Sequence, residues 1–292
     1  IKLANLIVLL MKAFPSADRV QELMEMKSDE RFHGDSEEHP EITSGGISFE
    51  NVSFSYNGTS EYDLEDITLD VKPGSVLGVI GGTGSGKSTL LSLMNHTYDV
   101  TKGTVRIDGV DVRMLSDNEI SKLFGIVPQK ALLFSGSVRS NMTMKIPETS
   151  DNEIKTALNI AQATDFVEAK EGKLDATVSG HGNNFSGGQR QRLTIARALI
   201  GQPKILVLDD SASALDLATE ARLRRGLMSL SWKPTIIIVS QRASSVMDAD
   251  QIIVLDDGKC VGLGTHQELL SNCPTYEEIY YCQYPREEAA NE

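Results

Sequence analysis

Residues 76–91 read VLGVIGGTGSGKSTLL. The apolar run Val76 to Ile80 has the character of a buried strand, and a helical pattern resumes after the glycines. Between them Gly81-Gly82-Thr83-Gly84-Ser85-Gly86-Lys87-Ser88 meets the spacing G-x-x-x-x-G-K-[ST], in the strand–loop–helix setting a phosphate-binding loop requires. Glycines let successive backbone N–H groups turn toward one anion, and a helix opening near Gly86 aims its positive end at the same point. Lys87 is expected to reach the β- and γ-phosphates of a nucleotide as a mobile point charge. The Ser88 hydroxyl is expected to ligate Mg²⁺, with Thr89 as a further hydroxyl at the helix start. A glycine-rich turn without a ligand is the alternative; four glycines with Lys-Ser at this spacing argue against it.

The 292 residues suffice for one large domain or two smaller ones, each with a full core. A formal net charge of −13 argues against a general nucleic-acid surface, so no nucleic-acid partner is expected. The basic runs Arg190-Gln191-Arg192 and Arg222 to Arg225 fall on expected helices, where a solvated or ion-paired face accounts for them. Cys260, Cys273 and Cys282 lack metal-ligand spacing, and their odd number fits a reducing compartment better than a disulfide framework. The five histidines are scattered, and none reads as a ligand.

The chain starts at Ile1 and is expected to be a piece of a longer polypeptide. Leu3 to Met11 is mostly apolar, and helical spacing continues to about Met26. A bilayer span needs roughly 20 apolar residues, so this run is too short to cross. An amphipathic helix, a signal remnant and the cytosolic end of a transmembrane helix are the readings open to it, and no cleavage pattern supports the second. Residues 27–46 are polar and charged and close on Gly45-Gly46, as a linker would. From Ile47, ISFENVSFSY alternates with period two, and a second strand from about Asp66 to Val71 stops at the Pro73-Gly74 turn. The two are expected to pair antiparallel. Tyr56, at the end of the first strand, is either an ordinary strand aromatic or a platform on which a base stacks.

After the phosphate loop, GTVRIDGVDV predicts a hairpin turning at Asp108-Gly109. Ser116-x-x-Glu119 and Ser150-x-x-Glu153 are capping boxes, and FGIVPQ predicts a strand ending at Gln129. From about residue 130 to 202 the apolar period is helical. Beyond Pro203, KILVLDD, TIIIVS and DQIIVLDD alternate with helices, which predicts a parallel sheet buried on both faces. The first of these runs ends in Asp209-Asp210, placing two carboxylates at the strand edge where open α/β sheets bind ligands. There Asp209 is suited to hold Mg²⁺ through water, and Asp210 to face an attacking water. Phe185-Ser186-Gly187-Gly188-Gln189 opens the most strongly helical stretch, a second anion-ready terminus. One domain rarely needs two, unless the second serves another molecule.

In order along the chain, these motifs resemble the nucleotide-binding domain of ATP-binding cassette (ABC) transporters of the exporter type. The resemblance covers about residues 47–284. It implies an α/β fold: a P-loop NTPase core, an antiparallel β subdomain and an inserted helical subdomain over about 130–202, all within a domain at 47–285. A disordered tail is expected at 286–292. The resemblance makes Tyr56 the adenine platform, and gives the phosphates to Gly82, Thr83, Gly84, Ser85, Gly86, Lys87, Ser88 and Thr89. Ser88, Gln129 and Asp209 would serve Mg²⁺, while Gln129, Asp210 and Gln241 would serve hydrolysis of ATP. Ser186, Gly187, Gly188 and Gln189 form the signature, and Ser213-Ala214-Leu215-Asp216 follows the acidic strand.

Such domains work as head-to-tail pairs, each ATP lying between one domain's phosphate loop and the other's signature. The resemblance therefore implies a second cassette chain as partner and a transmembrane domain on the same polypeptide. Residues 1–26 would be the tail of its last helix, and the site would lie at the cytoplasmic face of the cell membrane. Four positions depart from the family pattern. Asp210 stands where Glu is usual, Gln241 where a switch histidine is usual, Phe185 where Leu is commoner, and Gly180 where exporters place a coupling glutamate. Together with an intact phosphate loop, the first two predict the degenerate-site subunit of a heterodimeric exporter, one that holds ATP and hydrolyses it slowly. A non-hydrolytic ATP-binding regulator and a soluble ABC ATPase are the competing readings. Against the last, the stretch between phosphate loop and signature is too short for a long coiled coil, and no internal repeat is visible.

Overall fold

The computed structural model describes residues 2–25, 41–58, 61–211 and 214–284. Most of the expected linker and the whole of the expected tail at 286–292 lie outside the described residues, as does Ser213. Helix α1 (Lys2–Glu25) carries Pro15 within it and leaves Leu3, Met11, Phe14, Val20 and Met24 exposed. No helix among the described residues is long and apolar enough to cross a membrane.

The domain begins with β1 (Ile47–Phe54) and β2 (Leu64–Val71), which pair antiparallel from Ile47↔Val71 to Phe54↔Leu64. The alternation expected of the first strand is interrupted. Asn51 takes a left-handed φ of 49°, and the register slips between Phe49 and Val52. One extra residue at a bulge turns the following side chains to the opposite phase, which puts Val52 and Phe54 in the core after Ile47 and Phe49; Ser53 between them is buried too. The second strand also starts earlier than expected, because Leu64 is fully buried and anchors its first residues.

Next come β3 (Val76–Gly81), buried throughout, and α2 (Lys87–Met94). The hairpin of β4 (Lys102–Ile107) and β5 (Val110–Asp111) turns at Asp108 (φ 47°) and Gly109 (φ 83°). Two consecutive positive φ values suit the twist of a two-residue hairpin. The Asp108 carboxylate accepts N–H groups of Thr43, Ser44, Gly45 and Gly46, tying down the segment that leads into β1. Helix α3 (Asp117–Leu123) opens on the expected Ser116–Glu119 capping box. Strand β6 (Phe124–Val127) stops at Val127 rather than at Gln129, because Pro128 offers no N–H to extend the ladder.

The segment from 130 to 202 is helical, with one two-residue strand pair. In order it forms β7 (Gly136–Ser137), α4 (Val138–Met142), α5 (Asp151–Ile160), α6 (Thr164–Glu168), β8 (Thr177–Val178) and α7 (Gly187–Leu199). The chain then returns to the sheet through β9 (Ile205–Asp209), α8 (Leu217–Met228), β10 (Thr235–Ser240), α9 (Ala243–Val246) and β11 (Gln251–Asp256). A further strand, β12 (Lys259–Gly264), folds back antiparallel on β11 before α10 (His266–Asn272) and α11 (Pro274–Gln283).

Among the described residues all strands but β7 and β8 form one sheet of ten, in the order β5-β4-β1-β2-β12-β11-β3-β10-β9-β6. The block β11-β3-β10-β9-β6 is parallel, as the buried apolar runs predict. One apolar cluster joins the antiparallel wing and α2 to one face of the parallel strands, a second joins the helical segment and α8 to the other face, and a third lies beneath α9–α11. The parallel strands therefore end along one edge, which gathers the loops that leave them.

Candidate functional site

Gly81 and Gly82 lie at the end of β3, Asp210 follows β9, Gln241 follows β10, and Gln129 lies two residues beyond β6. Parallel pairing brings all four strand ends to the carboxyl edge of the sheet. The loop after β3 needs its glycines for different reasons. A Cβ at Gly81 would stand 2.2 Å from the Leu255 carbonyl oxygen, so no side chain fits. Gly86 has φ 99°, and a Cβ there would press on Leu64 at 2.7 Å. At Gly82 and Gly84, in contrast, a Cβ would meet nothing within 4 Å. The loop is thus pinned at both ends and open between, beside a helix whose N-cap, Gly86, supplies no side-chain cap. Open space next to unsatisfied N–H groups is what an anion requires.

Lys87 folds back on this loop. Its Nζ donates to the carbonyls of Gly81 (2.8 Å) and Gly82, and to Ser85 Oγ at 3.3 Å. Burial pulls its ammonium below the usual lysine range, against the opposing charges of Asp209 and Asp210. Burial likewise pushes the Asp209 carboxyl above the usual carboxylate range; the Asp210 charge adds to this and Lys87 counters it. A half-buried acid crowded by a second acid favours a cation beside it. Among the described residues no cluster of three or more His, Cys, Asp or Glu side chains forms a metal cage. The donor set suits Mg²⁺, which is commonly held by one or two protein oxygens together with phosphate. Ser88, at the start of α2, and Asp209, at the end of β9, are the candidates to supply those oxygens. Asp210 has a left-handed φ of 42° and donates its N–H to Val239 O at 2.8 Å. That left-handed region is one that Asp tolerates and longer side chains resist.

Tyr56 is 46% exposed, its ring edge-on to Phe54 at 4.7 Å and to Tyr98 at 5.1 Å. Its hydroxyl lies 3.2 Å from Thr89 Oγ1, and Thr89 itself is buried. Thr89, in the first turn of α2, therefore links Tyr56 to the helix that follows the loop. Tyr98, 45% exposed, is a candidate site residue that sequence reasoning misses. It sits in an irregular segment after α2, where no period marks it, and its ring contacts with Phe54 and Tyr56 bring it in.

Ser186 is the N-cap of α7. It forms a capping box with Gln189, which donates its N–H to Ser186 Oγ (3.3 Å) and accepts the Ser186 N–H (2.9 Å). Ser186 and Gly187 are exposed or partly exposed, so this helix terminus opens to solvent. At Gly188 a Cβ would stand 3.1 Å from the Ala214 carbonyl oxygen. Phe185 is buried against Phe166, with the Lys170 ammonium 4.4 Å from its ring centre, so its work is in the core. Gln129 and Gln241 both reach the surface. Asp216 caps α8 by accepting the Thr219 N–H at 2.9 Å. Gly180 lies in a one-turn helix, where a Cβ would meet only Ser135 Oγ at 3.8 Å; nothing in the fold demands glycine there.

The sequence profile of the ABC transporter family matches residues 64–213. An uncharacterized ABC transporter ATP-binding protein of Mycobacterium tuberculosis is 45% identical over 238 residues, covering 80% of this chain and 40% of its own length. The β-(1→2)glucan export ATP-binding/permease protein NdvA of Rhodopseudomonas palustris is 37% identical over 247 residues, covering 85% of this chain and 41% of its own. The solved structure of a bacterial Atm1-family ABC exporter with ATP bound superposes with a TM-score of 0.83 at 29% identity. That match covers 94% of this chain and 48% of the exporter. The chain thus spans less than half the length of each of these proteins.

Proposed function

The chain belongs to the ABC transporter family and carries its ATP-binding domain; from that premise we propose that it is one ATP-binding subunit of a heterodimeric exporter. Its own site holds Mg·ATP and hydrolyses it slowly. Its signature, Ser186 to Gln189, completes the site of a second and different cassette. Lys87 and the N–H groups of residues 82–89 bind the phosphates, and Tyr56, steadied by Tyr98, carries the base. Ser88 and Asp209, with Gln129, hold Mg²⁺, which would neutralise charge on the phosphates. Asp210 and Gln241 address the water and the γ-phosphate.

The observation that carries the slow-site reading is Asp210. It follows β9 at the sheet edge, on a left-handed backbone, with a side chain one methylene shorter than the usual glutamate. The exposed apolar residues of α1 and the exporter names of the relatives support a transmembrane domain on the same polypeptide, with 27–46 as the linker into a domain at 47–285. In that arrangement the cassette lies at the cytoplasmic face of the cell membrane.

Native mass spectrometry of the full-length assembly, purified through a tag on this chain, tests the proposal. The expected particle contains one copy of this chain, one copy of a second cassette chain, and nucleotide that Lys87→Ala removes from this chain's site. Two copies of this chain in one particle would contradict the pairing.

A further inference from the structure

Gln241 leaves β10 and is followed closely by α9, a helix of four residues whose N-cap, Arg242, supplies no side-chain cap. So short a helix cannot hold its own entry. The missing partner comes from the last residue of α11. Gln283 Oε1 accepts the Ala243 N–H at 2.9 Å, and its Nε2 donates to the Gln241 carbonyl at 2.8 Å. The orientation of the amide is fixed by its partners, since an N–H can only donate and a carbonyl can only accept. A carboxamide that pairs with the C=O of one residue and the N–H two residues on imitates a neighbouring strand. It fixes the torsions of 241–243 as a ladder would.

The brace stands on firm ground. Helix α11 is anchored by fully buried Tyr276, whose hydroxyl meets His266 Nδ1 at 2.7 Å, and by buried Tyr280, on which Tyr284 stacks. From the other side, Arg242 N–H is held by Ser240 Oγ at 3.0 Å.

We infer that Gln283 is a positioning residue for the Gln241 side chain, setting from α11 the direction in which the switch position leaves the sheet. This inference rests on the reading of Gln241 as the residue that addresses the γ-phosphate. Gln283 touches no reacting atom itself.

The test is a double-mutant cycle in the full-length assembled transporter, using Gln283→Met, which keeps length but removes both hydrogen bonds, and Gln241→Ala. Azido-ATP labelled on either the α- or the γ-phosphate is photocrosslinked to this chain, and the ratio of labels reads hydrolysis at this chain's site alone. Misaiming a catalytic group by about 1 Å can cost up to about 10²-fold, so Gln283→Met is expected to lower the single-turnover rate by about tenfold. ATP affinity should stay the same. In the Gln241→Ala background the same change should have no further effect. An equal fall in both backgrounds would mean a merely structural role and would overturn the inference, as would no fall in either.

Amide hydrogen exchange separates this failure from failure of the underlying reading. Ala243 should exchange faster in Gln283→Met, and Val239, inside the sheet, should not. If that difference is absent, the brace does not exist. If it is present but Gln241→Ala leaves the rate unchanged, the brace exists and Gln241 is not at the γ-phosphate.

Discussion

Replacing Asp210 by Glu should speed hydrolysis of the ATP held by this chain and slightly weaken its fold. One added methylene extends the carboxylate by about 1.5 Å, a C–C bond length. A displacement of about 1 Å at a reacting group can change a rate by on the order of 10²-fold, so a gain approaching that size is expected if reach is what limits the site. The opposing effect comes from the backbone. Asp210 has φ 42°, in the left-handed region that Asp tolerates through local hydrogen bonds and longer side chains resist. The left-handed conformation costs an ordinary residue roughly 1–2 kcal/mol, part of which Asp already bears. Glu should therefore lose about 1 kcal/mol of stability, or about 2–4 °C in thermal midpoint for a domain of this size. Single-turnover hydrolysis resolved by chain, with a thermal scan of the same protein, measures both. Adding Gln241→His should raise the rate by more than the product of the two separate changes, since the two groups are proposed to serve the same transfer, one at the water and one at the γ-phosphate. A flat rate in the single and the double variant would refute the role given to reach. A faster enzyme with an unchanged midpoint would refute the role given to backbone strain.

Lys87→Ala should weaken ATP binding by about 2–3 kcal/mol, the scale of a charge-assisted hydrogen bond, read by titration calorimetry. Gly188→Asp places a negative charge at the signature terminus and crowds the Ala214 carbonyl, which a Cβ would already approach to 3.1 Å. It should cut steady-state ATPase of the assembled transporter by roughly 10²–10³-fold, the worth of lost transition-state donors, and by more than Lys87→Ala does. The Asp209 carboxyl titrates higher in the fold than in the unfolded chain, raised by burial and by Asp210. Between those two values the fold binds the extra proton. Without nucleotide the thermal midpoint should therefore fall as pH rises from the ordinary carboxylate range through the raised Asp209 value. Asp209→Asn should flatten that slope and remove the Mg²⁺ dependence of ATP binding.

The parts of this molecule legible in its sequence are those fixed by local chemistry. The phosphate loop can be read because steric exclusion at Gly81 and the positive φ at Gly86 each demand glycine, and this leaves a recognisable spacing. The capping boxes at Ser116 and Ser150 and the turn at Asp108-Gly109 are readable for the same reason. The parallel strands announce themselves through continuous apolar runs. Features that stay hidden depend on distance along the chain. Gln283 lies 42 positions from the carbonyl it holds, and nothing near either residue signals the other. Tyr98 joins Tyr56 only through ring contacts, with Tyr56 itself and with Phe54. The bulge at Asn51 and the early start at Leu64 come from pairing and burial, which local alternation cannot register. Strand β12 escapes notice because its sequence includes small residues, Gly262 and Gly264, leaving a weak apolar signal.

The claim on which the rest depends is that this chain keeps its ATP while the assembly turns over. During steady-state hydrolysis by the full-length transporter, azido-ATP labelled on the α- or the γ-phosphate can be crosslinked and the two cassette chains separated. The predicted result is equal α and γ label on this chain, meaning intact ATP, while the partner chain loses its γ label. Loss of the γ label from both chains at the same rate would contradict it.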